Sequence, residues 1–364
     1  MKNIWTCVVL AIMLSPGYPK KYVFSTVDKL PVTGNIFIIT TDGFRWQEVF
    51  NGADSVIINS EKFTPDTGTI KMLYWARTAE ERRKKLMPFF WNVLAAKGQL
   101  FGNRAYDNKV NVANLYSLSY PGYNEIFTGN IDVSLSSNKK IRNSNINVLE
   151  YLDCKPAFKG KVAAFTSWNV FPYILNAERN NLPVNSGYST LNEKSEEQQI
   201  INAVQTDVVY NKTATRHDQL TFLTAKEYIK QHRPRVLYLG LGETDEFAHQ
   251  GRYDLYLEQA NQVDKMIAEL WHWVQTTPGY KNNTTFIITT DHGRVSKTNR
   301  WTSHGEFITG SSQTWLAVIG PGIQPAGEIK EEQQLYQQQL AQTIAQILGE
   351  DFVTAYSAPA ISLR

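Results

Sequence analysis

Six side chains of the kinds that hold divalent cations stand at or just past three apolar runs. Residues 35–41, NIFIITT, stop at Asp42-Gly43. Residues 235–242, RVLYLGLG, stop before Glu243-Thr244-Asp245, and residues 284–290, TTFIITT, stop at Asp291-His292-Gly293. His292 follows Asp291 directly, and His304 lies twelve residues later in TSHGE. His249 lies four residues after Asp245, on the same face if that turn is helical. Taken singly, an Asp after a strand is a common turn or cap residue. Together, carboxylates and imidazoles make a ligand set suited to zinc, and also to manganese or iron. Asp42, Asp245, Asp291, His249, His292 and His304 are too many ligands for one tetrahedral ion and enough for two. Two ions can share a phosphate oxygen and a nucleophile. Ser119 is the candidate nucleophile, a hydroxyl placed before a Tyr-Pro-Gly turn and a helix-like stretch that closes on Thr128-Gly129. Beside a cation its alkoxide would be poised to attack phosphorus. The remaining histidines, His217, His232 and His272, lie in helix-like segments without acidic strand-end neighbours; they read as surface or packing residues.

The apolar runs are near-continuous rather than alternating. So are KVAAFTSW at 161–168 and TWLAVIG at 314–320. Such runs read as strands buried on both faces, hence a mostly parallel sheet. Helical patterns lie between them, at 79–97, 253–275 and 330–348. Alternating strands and helices imply an α/β sandwich, and in an open parallel sheet sites form beyond the carboxyl ends of the strands. The Asn/Ser-rich stretch 134–147 reads as a surface loop, and no repeat or linker divides the chain.

The bulk numbers fit one globular domain: 364 residues, 42% hydrophobic, 20% charged and a formal charge of +3. The densest charge run, Glu81–Lys85, reads as a solvated face, so no nucleic acid polymer is expected as a partner. Residues 1–22 pair a basic start with an apolar core too short to span a bilayer, as in a secretory signal. That leaves 23–364 as a single catalytic domain. No other segment is long and apolar enough for stable membrane insertion. Only Cys7 and Cys154 are present, so removing the signal leaves no disulfide framework. A secreted chain without disulfides fits a periplasm, or secretion from a similar cell.

The motifs, in this order, resemble the alkaline phosphatase superfamily and, within it, the nucleotide pyrophosphatase/phosphodiesterase-like branch. Asp42 matches the Asp that ends that family's first strand. Ser119-Tyr120-Pro121 and Thr128-Gly129 match its nucleophile helix, Asp245 and His249 its D-x-x-x-H motif, Asp291-His292-Gly293 its Asp-His-Gly, and His304-Gly305 its last His. The resemblance covers residues 35 to 347. It implies an alkaline-phosphatase-like α/β sandwich with a mostly parallel central sheet flanked by helices. Asp42, Ser119, Asp291 and His292 would hold one divalent ion and Asp245, His249 and His304 the other, zinc above manganese. It further implies hydrolysis of a small-molecule phosphate ester through a covalent phosphoserine, with the helix amides after Ser119 facing the phosphate oxygens.

The chain also departs from that pattern. Gly122 stands where the family usually has Asn, and Ala248 where it usually has Gly. The family's phosphate-binding Asn falls in SSNKKIRNSNIN, with Asn138, Asn143 and Asn145 as candidates and Asn124 as a supporting residue. The expected substrate contacts are Tyr120, Asn143 and Arg294, whose guanidinium suits phosphate or, alternatively, a salt bridge. Aromatic residues at Phe44, Trp46, Phe50, Tyr74, Trp75, Trp168, Phe171 and Tyr173 lean the reading towards a diester with a flat substituent. The alternatives are a phosphonate hydrolase, a phosphoethanolamine transferase, a sulfatase, a phosphoglycerate-mutase-like enzyme, or a binding protein with a dead site. Sulfatases require Arg where Tyr123 stands, the mutases carry a large inserted domain, and the transferases usually have membrane helices.

Overall fold

Every residue of β1 (Asn35–Thr41) and β7 (Thr284–Thr290) is buried. A strand can bury both faces only in the middle of a covered sheet. The computed structural model, which describes Leu30, residues 32–192 and residues 195–364, places both there. The expected signal segment 1–22 and Cys7 lie outside the described residues. The other strands are β2 (Gln99–Phe101), β3 (Asn108–Asn111), β4 (Val162–Thr166), β5 (Val184–Ser186), β6 (Val236–Leu241), β8 (Gln313–Thr314), β9 (Leu316–Ile319), β10 (Gly327–Glu328) and β11 (Gln333–Tyr336).

The main sheet has the order β10-β2-β9-β7-β1-β6-β4-β5, and β11-β3-β8 form a small second sheet. From β7 to β5 all neighbours are parallel, while β9 runs antiparallel to β7 and β2. Side chains of a strand point alternately to its two faces. Phe37 and Ile39 accordingly join the apolar core on one side of the sheet, and Ile36 and Ile38 the core on the other. This is the α/β sandwich with a mostly parallel sheet that the apolar runs imply. Among the described residues no helix is long and apolar enough to cross a membrane.

Two helical expectations are corrected. The stretch 79–97 breaks at Pro88 into a helix Ala79–Leu86 and a π-turn Phe90–Leu94 that runs into Ala95–Lys97, as proline requires when it removes a helix donor. The stretch 330–348 begins as β11, paired in register with β3, and turns helical only at Leu340–Ile347. The charge run is not wholly solvated either. Arg83 lies 3.5 Å over the Trp91 ring and reaches Glu328.

The helix Ser119–Thr128 is buried along its whole length. Its anchor is Glu125, whose carboxylate accepts from the Ala113, Asn114 and Gln338 amides at 2.8, 3.0 and 3.1 Å and from Asn114 Nδ2 at 2.9 Å. Burial pushes this carboxyl up, opposed by those donors. Glu125→Ala leaves several buried amides unpaired, each a loss of about 1–3 kcal/mol that does not add fully. A clear fall in the urea midpoint is expected, with a smaller one for Glu125→Gln; an unchanged midpoint for the alanine variant would remove Glu125 as the anchor.

Candidate active site

β7, β1 and β6 are adjacent and parallel, with Thr290 level with Thr41 and Thr41 level with Leu241. Their carboxyl ends therefore open on one place. Asp42 and Asp291 follow β1 and β7 directly, and β6 leads into the short helix Glu243–His249, which carries Asp245 and His249 one turn apart. Asp218 holds that helix, accepting from the Gly242 amide at 2.7 Å and the Glu243 amide at 3.1 Å. Glu243 accepts in return from the Asp218 amide at 2.7 Å and lies 2.7 Å from His217 Nδ1.

The six expected ligands come together as two groups. Asp42, Asp291 and His292 form one, wholly buried; Asp245, His249 and His304 form the other. Within each group one ligand atom per residue lies within 4.8 Å of the rest. His292 Nε2 is 3.4 Å from Asp42 Oδ1 and 3.5 Å from Asp291 Oδ2. His249 Nε2 is 3.0 Å from Asp245 Oδ2 and 3.1 Å from His304 Nε2. Asp245 Oδ1 links the groups, 3.9 Å from both His292 Nε2 and His304 Nε2. The His292 and His304 rings stack at 3.9 Å. His292 Nδ1 donates to the Gly293 carbonyl at 2.9 Å and His304 Nδ1 to the Ser117 carbonyl at 3.1 Å. Backbone acceptors on Nδ1 turn Nε2 inward, as in metal-ligating histidines.

The donors fit cations. Asp291 Oδ2 is buried without a hydrogen-bond partner, while Oδ1 accepts from the Gly43 amide at 3.0 Å. Burial and the neighbouring Asp42 push the Asp291 carboxyl up, the response of a negative group short of positive charge. For His292 burial opposes the charged form, but Asp291 and Asp42 outweigh it and raise the imidazole. Burial, with His292 and Arg294, holds His304 far below its ordinary value, and burial also lowers His249. Neutral imidazole is the form that binds a metal.

Ser119, the first residue of its helix, places Oγ 3.4 Å from both Asp42 Oδ1 and His292 Nε2. Tyr123, one turn on, donates its hydroxyl to Asp42 Oδ2 at 3.2 Å. A Cβ at Gly122 would lie 2.4 Å from the Asp291 carbonyl. That is why a side chain is absent at this departure from the family pattern: the helix rides directly on the end of β7. Ser117, two residues before Ser119, has a positive φ of 47°, the kind of strain that gathers at functional sites.

The three expected substrate contacts are placed otherwise. The Tyr120 hydroxyl donates to the Ile141 carbonyl at 2.5 Å. Asn143 is fully buried, its Nδ2 spent on Asn124 Oδ1 and the Ile174 carbonyl and its Oδ1 on the Asn145 amide. Arg294 is buried and gives its donors to the carbonyls of Gly43 and Thr302 and to Asp245. The Tyr120 amide donates to Asn138 Oδ1 at 2.9 Å and Pro121 has no N–H, so the helix offers fewer free amides than expected. Of the aromatic residues, Phe44, Phe50, Tyr74 and Phe171 are core, while Trp168 and Tyr173 remain partly exposed. Tyr123, Asp218 and Gly43 were not singled out as site residues by sequence; Tyr123 carried a signal, standing where a sulfatase needs Arg.

The Metalloenzyme superfamily model matches residues 160–350, just over half of the chain. The chain belongs to the Metalloenzyme superfamily. No curated protein matches it in sequence. Solved structures similar to this superfamily member lie in the alkaline phosphatase superfamily. Alkaline phosphatase PafA is 10% identical at a TM-score of 0.59, covering 92% of this chain and 99% of its own. A 2-O GAG sulfatase is 12% identical at 0.55, covering 91% and 73%. The lipoteichoic acid synthase LtaP from Listeria monocytogenes is 11% identical at 0.55, covering 88% and 73%. These likenesses show the fold.

In excess zinc, equilibrium dialysis of this metalloenzyme superfamily member is expected to give about two ions per chain. Asp291→Asn and His304→Ala should each lower that to about one. Unchanged stoichiometry in both variants would remove these residues as ligands.

Proposed function

We propose that this chain is a periplasmic or secreted two-metal hydrolase of small-molecule phosphate esters, with residues 23–364 as one catalytic domain and Ser119 as nucleophile. The observation that carries the reading is the Ser119 hydroxyl, 3.4 Å from Asp42 Oδ1 and from His292 Nε2 at the start of a buried helix. Asp42, Ser119, Asp291 and His292 would hold one ion and Asp245, His249 and His304 the other, zinc or manganese. The ions would supply Lewis-acid stabilisation of charge on the phosphate oxygens and a lowered pKa for the nucleophile.

The chain's own groups do the rest. Asp42 Oδ1 accepts the Ser119 hydroxyl hydrogen at 3.4 Å in the resting site. Ser119 Oγ gives up its proton to solvent and forms its bond to phosphorus as the ester oxygen leaves and takes up a proton; water then cleaves the phosphoserine P–O bond, releasing phosphate and restoring the Ser119 hydroxyl. Tyr123 holds Asp42 in place through Oδ2. Asn138 is the residue best suited to a phosphate oxygen. Its Oδ1 is fixed by the Tyr120 amide, its side chain is exposed, and its Nδ2 has no hydrogen bond among the described residues.

Two features favour phosphate over sulfate esters. Tyr123 occupies the place of the Arg that formylglycine maturation requires, and the second group contains two histidines.

The decisive assay compares p-nitrophenyl phosphate, bis-p-nitrophenyl phosphate, a phosphonate ester and p-nitrophenyl sulfate, with zinc or manganese. A phosphate ester should be preferred, and Ser119→Ala should lower kcat by about a thousandfold or more. Preference for sulfate, or full activity in Ser119→Ala, would sink the proposal. Asn138→Ala should cut kcat/KM by about ten- to a hundredfold with an unchanged melting temperature. Asn143→Ala should instead lower the melting temperature; the reverse pattern would return the phosphate contact to Asn143.

A further inference from the structure

Arg294 is the largest charged group at the site that the proposed chemistry does not use. Its side chain is fully buried. Its Nε donates to the Gly43 carbonyl at 3.1 Å, one terminal nitrogen donates to the Thr302 carbonyl, and the other donates to Asp245 Oδ1. The guanidinium thus joins the turn after β1, the helix after β6 and the segment leading to His304. Space for it is built in. Gly43 has a positive φ of 55°, and a Cβ there would lie 2.9 Å from the guanidinium and 2.7 Å from Asp245 Oδ1.

The two ligand groups differ in charge. The buried group has two carboxylates and one imidazole, whereas the second has one carboxylate and two imidazoles. That single carboxylate is the one Arg294 contacts, so the guanidinium offsets the negative charge the second group offers a cation. The second group is also the more open, with the His249 side chain 51% exposed.

We infer that Arg294 is a fixed cation that makes the second ion site the weaker of the two, so that the second ion is held firmly only together with an anionic substrate. Arg294 is a positioning residue in this scheme: it holds Asp245 Oδ1 and leaves Oδ2, the oxygen facing His249, for the ion. The inference rests on the two-ion reading proposed above. An anionic phosphate adds negative charge at the second site, so substrate and second ion each raise the affinity for the other.

The test is a Mn2+ titration with free ion counted by electron paramagnetic resonance. The wild-type protein should fill in two steps, the second at least about tenfold weaker than the first. Inorganic phosphate should tighten the second step and not the first. Arg294→Gln, which keeps hydrogen-bond donors without charge, should tighten the second step by about tenfold, while Arg294→Lys keeps it weak. Two equal steps in the wild type would overturn the inference while leaving the two-ion reading intact. So would an Arg294→Gln variant that melts normally yet binds the second ion no more tightly. If that variant does not fold, the wild-type steps with and without phosphate decide. Saturation at one Mn2+ per chain would instead overturn the two-ion reading, and this inference with it.

Discussion

Burying carboxylates against one another is the constraint on which the rest of this structure depends. Asp42 and Asp291 end neighbouring parallel strands, and both are buried. Each charge removed from water costs several kcal/mol unless it is matched. The surroundings supply what matching they can: the Gly43 amide and the Tyr123 hydroxyl each donate to one of these carboxylates. Asp291 Oδ2 is left over. A site that gathers negative charge beyond its own donors, with an imidazole nitrogen turned inward, suits a divalent cation.

The same constraint explains the glycines and the buried helix. With Ser119 3.4 Å from both Asp42 and His292, its helix lies against the end of β7, where a Cβ at Gly122 would come 2.4 Å from the Asp291 carbonyl. A helix held that close exposes no face to water, so its one acidic residue, Glu125, must be satisfied internally, and three backbone amides do so. Gly43 is the matching concession on the other side, letting a guanidinium lie beneath Asp245.

How much was legible in sequence follows from what each feature needs. β1, β6 and β7 could be read because continuous burial leaves a continuous apolar run, and the acids at their ends because a parallel sheet gathers its strand ends. The Gln-rich stretch from 330 could not be read correctly, because β11 exists only through its pairing with β3. Proline at 88 was a readable break that the helical spacing around it concealed. The choice between Asn138 and Asn143 was beyond the sequence. Both stand at family-like spacing, and only the tertiary fold buries Asn143 against Asn124 while leaving Asn138 at the start of the helix that Ser119 opens. Arg294 looked like a reaching cation for the same reason: burial of a long side chain is decided by segments far away in the chain.

A fold shared with a phosphatase, a sulfatase and a lipoteichoic acid synthase cannot by itself select a substrate. Selection has to come from the particular groups set beneath the strand ends. Here these are a phenol on Asp42, histidines in the second ligand group and a guanidinium against its carboxylate. All three act on charge. The phenol and the guanidinium hold one carboxylate each by a single oxygen, and the imidazoles bring ligand capacity without negative charge. The site so built sets two carboxylates and one imidazole beside one carboxylate and two imidazoles, with the guanidinium against the carboxylate of the second set.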